Sequence, residues 1–224
     1  MSPLTLVPSL PANSWSELTA LARCLQADIS ELQVDIVDGQ FVSAVAWPFT
    51  EPDPISELDR LRTLPETIAL ELDCMVLEPA QYFPKLQTLP VKRIVIHYGS
   101  TPDLPGTLHE ARASGWVTGL AFTNDIALER IFPLLPMVDY VQVMGIATVG
   151  AQGQPFDERT IASVTAIRAH DAMITIAVDG SVNATTIPKL IAAGANRLAP
   201  GSAVAKQADP ALAYKTLMEL MHLD

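Results

Sequence analysis

Short aliphatic and β-branched runs alternate along the chain with segments in which apolar residues return every three to four positions. Eight runs have the length and composition of strands: LTLVPSL near 4–10, ELQVDIV at 31–37, TIALELD at 67–73, VKRIVIH at 91–97, WVTGLAF at 116–122, VDYVQVM at 138–144, MITIAVD at 173–179 and ANRLAP at 195–200. Helical periodicity is clearest in SWSELTALARCLQA, FDERTIASVTAIRAH and ADPALAYKTLMELMHL. In the first of these Ser14 reads as the N-cap and Glu17, three residues on, as its capping-box partner. Each strand and its helix take roughly 25 to 30 residues, the size of a strand–helix unit. Eight such units in series, with no Pro/Gly-rich linker or low-complexity tract between them, predict one (β/α)8 TIM barrel domain spanning 1–224. An open doubly wound sheet is the alternative arrangement of the same units.

Polar residues inside the apolar runs carry the functional information. In a barrel strand, side chains alternate between the interior and the helix layer. Leu32, Val34 and Ile36 then face the helices, and Gln33 and Asp35 share the interior. The same alternation turns Glu71 and Asp73 inward in the third run, and Thr175, Ala177 and Asp179 in the seventh. Burying an unpaired carboxylate costs several kcal/mol, so acids here must be paired, metal-bound, protonated or solvated at a strand end. An isolated strand-end Asp most often caps a helix or meets a Lys or Arg. Three acids converging on the C-terminal mouth, where barrel enzymes hold their sites, point to chemistry instead. The second and seventh strands lie three steps apart around the ring, which sets Asp35 opposite Asp179. Two facing carboxylates suit proton abstraction next to a carbonyl on one face and protonation on the other, through an enediolate that a divalent cation or fixed donors must stabilise.

Glycines after the last two strands add a second signal. DGSVN at 179–183 and PGSAVA at 200–205 place Gly180, Ser181, Gly201 and Ser202 where barrel loops bind phosphate through backbone N–H groups, and Gly153 in the loop after the sixth strand is a further candidate donor. His97 ends the fourth strand, positioned either to orient a substrate oxygen or to sit neutral in the core. Met75 and Met144 end the third and sixth, placed either to cap a sugar or to fill the core. His109, His170 and His222 fall on helical patterns and read as solvated surface.

A formal charge of -11 and a pI near 4.7 exclude a general nucleic-acid or anionic-membrane surface, so an anionic ligand needs local donors. Two cysteines, Cys24 and Cys74, are too few for a disulfide scaffold or a cysteine zinc site. With no basic region before the first apolar residues and no run of about 18 apolar residues, the expectation is a soluble, cytoplasmic protein.

Several of these segments resemble the ribulose-phosphate 3-epimerase family. VDIVDGQFV is similar to that family's V-D-V-M-D-G-H-F-V, LDCMVLEPAQY to V-H-L-M-I-E-N-P-x-x-Y, IVIH to its strand-four histidine segment, VQVMGI to V-L-x-M-[ST]-V, IAVDGSVN to I-x-V-D-G-G-V-N, and APGSAV to V-A-G-S-A-[IV]. The resemblance runs nearly the full length. It implies a barrel, a bound divalent metal, a phosphosugar substrate, a homo-oligomer and Asp35 and Asp179 as the catalytic acid and base. It also implies metal positions at Gln33, Asp35, Asp73 and Asp179 and a substrate-contacting serine at Ser9, with Pro11 the alternative alignment. The departures lie in the metal set. Gln33 stands where the family has the histidine of H-x-D, and Asp73 where it has that of V-H-L-M, so the donors here are all oxygen. Such a set favours Mg or Mn over Zn, or holds no metal. The loop after the sixth strand, N-P-G-F-G-G-Q in the family, is ATVGAQGQ here. Two competing functions follow: a sugar-phosphate-binding protein that has lost turnover, and an aldolase or decarboxylase. The latter would need a lysine at a strand end, where the chain offers only Lys92, Lys189 and Lys206.

Overall fold

The computed structural model describes residues 3–150 and 153–221. Its strands are β1 (Thr5–Leu6), β2 (Ser9–Leu10), β3 (Glu31–Val37), β4 (Ala69–Met75), β5 (Val91–His97), β6 (Val117–Phe122), β7 (Tyr140–Met144), β8 (Thr175–Asp179) and β9 (Arg197–Ala199). All pair in parallel, in the order β1-β9-β8-β7-β6-β5-β4-β3-β2. The first predicted run is thus two short strands interrupted at Val7–Pro8. Its first half pairs with β9 and its second with β3, so one chain segment closes the ring. Pro8 has no N–H to give, but its carbonyl accepts the Gln33 N–H at 2.9 Å, and the Ser9 N–H reaches back to Pro200 at 3.1 Å. The result is a (β/α)8 barrel.

The second and fourth runs match β3 and β5 in their bounds. The third slides by two residues, because Ile68 closes a turn by donating to the Pro65 carbonyl at 3.0 Å and the ladder starts only at Ala69. Cys74, just past the predicted run, therefore lies inside β4, buried, while Cys24 is exposed on its helix. Ser14 caps the helix Trp15–Leu25 by accepting from the Glu17 N–H at 3.3 Å. The Glu17 carboxylate takes the N–H of Asn13 at 2.7 Å rather than that of Ser14, so the capping box is displaced by one residue.

Apolar packing divides into two layers. Leu32, Val34, Ile36, Leu72, Ile94, Ile96, Val141 and Val143 belong to the larger core between sheet and helices. A smaller cluster, including Val37, Met75, Val95, Ala121, Tyr140, Met144 and Ala177, fills the barrel interior. Below it the floor is ionic. Arg197 donates to Glu71 at 2.8 Å and lies 2.8 Å from Glu31, Arg93 approaches Glu31 at 3.2 Å, and the Tyr140 hydroxyl donates to Glu71 at 2.8 Å. Glu71, predicted to face inward, is therefore a floor residue and not part of the mouth.

Gly119 makes room for this arrangement. It is the register partner of Tyr140, and a Cβ at Gly119 would sit 2.4 Å from the Tyr140 ring. Gly119→Ala should therefore force the ring off its bond to Glu71 and lower stability by about 1–3 kcal/mol, read as a lower urea midpoint; an unchanged midpoint would contradict this packing.

Candidate active site

The mouth of the barrel opens into a cavity of about 470 Å³. Ser9, Asp35, Met75, Met144, Gly153, Asp179, Gly180, Ser181, Gly201 and Ser202 line it, as does Pro11, the other residue considered at the serine position. Asp35 lies two residues before the end of β3 and Asp179 is the last residue of β8; both line the mouth while staying almost fully buried.

Gln33 joins the acids. Its Nε2 donates to Asp35 Oδ1 and to Asp179 Oδ2, each at 3.0 Å, and lies 3.5 Å from Asp73 Oδ2. The Ser9 hydroxyl makes a long bond of 3.4 Å to Asp179 Oδ1. Asp73 is fully buried and takes a proton donor on each oxygen: His97 Nε2 at 2.5 Å on Oδ1 and Gln142 Nε2 at 2.8 Å on Oδ2. His97, read either as a group for a substrate oxygen or as a core histidine, is buried here. Its ring turns towards Asp73 and borders a separate cavity of about 320 Å³ with Phe41, Tyr98 and Phe122.

Burial raises the Asp35 carboxyl well above its usual range, and repulsion from Asp179 and then Asp73 adds to it. Burial and then Asp73 push Asp179 up to about 7, against the pull of the Gln33 amide. Both carboxyls of the facing pair therefore hold their protons to higher pH than a free aspartate, the condition for one to act as acid beside the other as base.

The donor set can be tested against a cation. Carboxylate oxygens of Asp35, Asp73 and Asp179 lie within 4.8 Å of one another, close enough to share one ion. Gln33 Oε1 is buried without a hydrogen-bond partner, so rotating its amide would add a fourth oxygen. The residues present fit a hard, oxygen-preferring ion.

The surrounding loops are tied to one another. Asp38 accepts from the N–H groups of Gln40 and Phe41 at 2.8 and 3.0 Å and, from the loop after the neighbouring strand β4, from Leu77 at 2.8 Å, so this second aspartate of the VDIVD run is a brace between adjacent loops. Ser181 occupies the left-handed region at φ 53, and its hydroxyl donates to the Gln154 carbonyl of the neighbouring loop. Among the other expected positions, His109 is exposed, His170 is exposed and stacks on Phe132 with ring centroids 4.0 Å apart, and His222 lies outside the described residues. Lys92, Lys189 and Lys206 are all exposed. Gln142 escaped the sequence reading; it is an inward polar residue between Tyr140 and Met144, a signal present in the alternation of its run. Lys206, weighed above only as an aldolase or decarboxylase lysine, lies one turn beyond Ser202 and lines the cavity.

No helix among the described residues is long and apolar enough to cross a membrane. The family model for the ribulose-phosphate 3 epimerase family matches residues 5–205. Similar curated proteins are the ribulose-phosphate 3-epimerase of Mycobacterium leprae, 28% identical over 97% of this chain and 94% of that one, and the cytoplasmic isoform of Oryza sativa, 27% identical over 92% and 89%. Among solved structures, a tryptophan synthase α-subunit from Pyrococcus furiosus superposes with a TM-score of 0.76 at 14% identity, each chain covered fully, and KGPDC from Streptococcus mutans with 0.75 at 10% identity, covering 98% and 97%. At those identities the structural matches speak to the barrel alone, whereas the family match spans most of the sequence: this chain belongs to the ribulose-phosphate 3-epimerase family.

Proposed function

We propose that the protein is an isomerase acting on a phosphorylated ketose at C3, interconverting ribulose 5-phosphate and xylulose 5-phosphate or a closely similar pair. The observation that carries this reading is the pair Asp35 and Asp179, set on opposite strands, bridged by one amide and both holding protons more tightly than ordinary carboxyls. With a ketose between them, the ionised member removes the C3 proton from one face. The C3–H electrons move into the C2–C3 bond and onto the C2 oxygen, giving an enediolate. The protonated member then returns a proton to C3 from the other face, and the configuration is inverted. After one turnover the two acids have exchanged roles, and solvent resets them.

Met75 and Met144 give the space above the acids apolar walls, which keeps water from the carbanionic carbon. Ser9 and the Gln33 amide supply hydrogen-bond donors beside the acids. The loop N–H groups of Gly153, Gly180, Ser181, Gly201 and Ser202 would hold the phosphate and fix C3 between the carboxylates. A divalent cation, Mg or Mn in preference to Zn, would be held by Gln33, Asp35, Asp73 and Asp179 and would supply positive charge for the oxygen that becomes negative. Cytoplasmic residence and a homo-oligomer belong to the same proposal.

The test is deuterium uptake at C3 of ribulose 5-phosphate in D2O, followed by NMR with and without added Mn. The expected result is uptake accompanied by xylulose 5-phosphate. Uptake at the rate of the uncatalysed background for every ketose phosphate tried would leave a binding protein in place of the enzyme.

A further inference from the structure

The substrate class proposed above is a dianion, and the cavity that must receive it is lined by two carboxylates on a chain of net charge -11. Neutral backbone donors orient a phosphate but do little to offset that field. Among the described residues lining the cavity, one carries a positive charge: Lys206. Its situation differs from that of the other lysines near acids. Lys85, Lys189 and Lys215 each hold a carboxylate at 2.6 to 3.1 Å, whereas Lys206 has no carboxylate partner among the described residues. Its position is nevertheless fixed from behind. The Lys206 N–H donates to the Ser202 carbonyl at 3.3 Å, and the Gln207 side chain donates to the same carbonyl at 3.2 Å. The backbone of Lys206 is thereby tied to the loop that starts at Gly201, after β9, the strand paired with β8, whose following loop carries Gly180 and Ser181; all of these residues line the cavity.

We propose that Lys206 is a specificity-determining residue that pairs with the phosphate of the substrate and makes the site discriminate phosphorylated from unphosphorylated ketoses. This rests on the function proposed above for its substrate class, but not for its chemistry, which requires only a phosphate anion in the cavity. The ammonium sits on a flexible stem with three donors, so it meets the phosphate as a point charge and not as a rigid fork. The pair forms equally in the ground state and the transition state, so its effect falls on KM rather than kcat. Because the side chain is exposed, salt screens it, with a Debye length of about 8 Å at physiological ionic strength.

The experiment compares the parent with Lys206→Gln and Lys206→Arg, measuring C3 exchange on ribulose 5-phosphate at low and at physiological salt, and inorganic phosphate as a competitive inhibitor. For Lys206→Gln, KM and the inhibition constant of phosphate should both rise, by about 2- to 5-fold, and the salt dependence of kcat/KM should flatten. Lys206→Arg should stay close to the parent. Unchanged KM and unchanged phosphate inhibition in Lys206→Gln would overturn the proposal. Should the parent show no exchange with any ketose phosphate, calorimetric titration with inorganic phosphate separates the two readings. Binding weakened in Lys206→Gln would sustain the role of Lys206 while the epimerase reading fell; no phosphate binding in the parent, or equal binding in both, would overturn it as well.

Discussion

Asp35→Asn and Asp179→Asn should each reduce C3 exchange by about 10²- to 10⁴-fold and, at the same time, make the protein more resistant to heat at pH 8. The loss follows from the need for an acid and a base on opposite faces of one carbon; an amide is neither. The gain follows from the raised protonation of both carboxyls. Below the ordinary carboxylate range both the folded and the unfolded chain hold these protons, so the acids cost nothing. As pH rises from 3.8 through about 7, the unfolded chain releases the Asp179 proton first while the folded chain retains it, so stability falls across that window and stays low above it. Asp35 moves in the same direction for the same reasons, burial and then its neighbour Asp179. An Asn Oδ1 can still accept from the Gln33 amide, so the substitution removes the charge and leaves the hydrogen bond. Calorimetric unfolding of metal-stripped protein at pH 4 and pH 8 checks this: the variants should match the parent at the lower pH and exceed its Tm at the higher. Exchange by the parent should pass through a maximum where the pair carries a single proton. Variants that lose activity and stability together at pH 8 would show that the acids are structural partners and not a strained pair held for catalysis.

Much of this site was legible in the chain because period-2 alternation is unforgiving. Leu32, Val34 and Ile36 leave one face for the helices, and Gln33 and Asp35 have only the interior left. The same logic turned Asp73 and Asp179 inward. It failed where the answer depends on which interior neighbour a side chain meets. Asp73 is satisfied by His97 of β5 and Gln142 of β7, two strands that no local pattern couples to it. Alternation also says nothing about height along the barrel axis, so Glu71 and Asp73, two residues apart, look equivalent in sequence. One meets Arg197 at the floor and the other approaches the mouth. Lys206 shows a third limit. A long side chain that follows a loop and reaches back into a cavity follows no hydrophobic period, and its role depends on the folded path of Gly201 to Gln207.

Histidines at positions 33 and 73 should change which metal ion the four-residue site prefers. In the parent, Gln33 and three carboxylates offer oxygen only, which suits Mg or Mn and gives Zn no imidazole or thiolate. Gln33→His places an imidazole between Asp35 and Asp179, where the amide nitrogen now lies 3.0 Å from each. Asp73→His is the harder change. It takes the carboxylate from His97 and sets two imidazoles against each other where a 2.5 Å bond now joins ring and acid. Part of that cost can be offset by Gln142, whose Oε1 is buried without a partner and can accept from the new ring once the amide rotates. The double variant should therefore bind Zn at least about 100-fold more tightly than the parent while its Mn affinity changes little, with Gln33→His alone falling between. Equilibrium dialysis of the purified proteins against each metal reads this without reference to activity. The same Zn to Mn preference in the parent and the double variant would mean that these four positions do not form the metal site of this chain, and the all-oxygen cluster would then be a hydrogen-bonded acid network centred on the Gln33 amide.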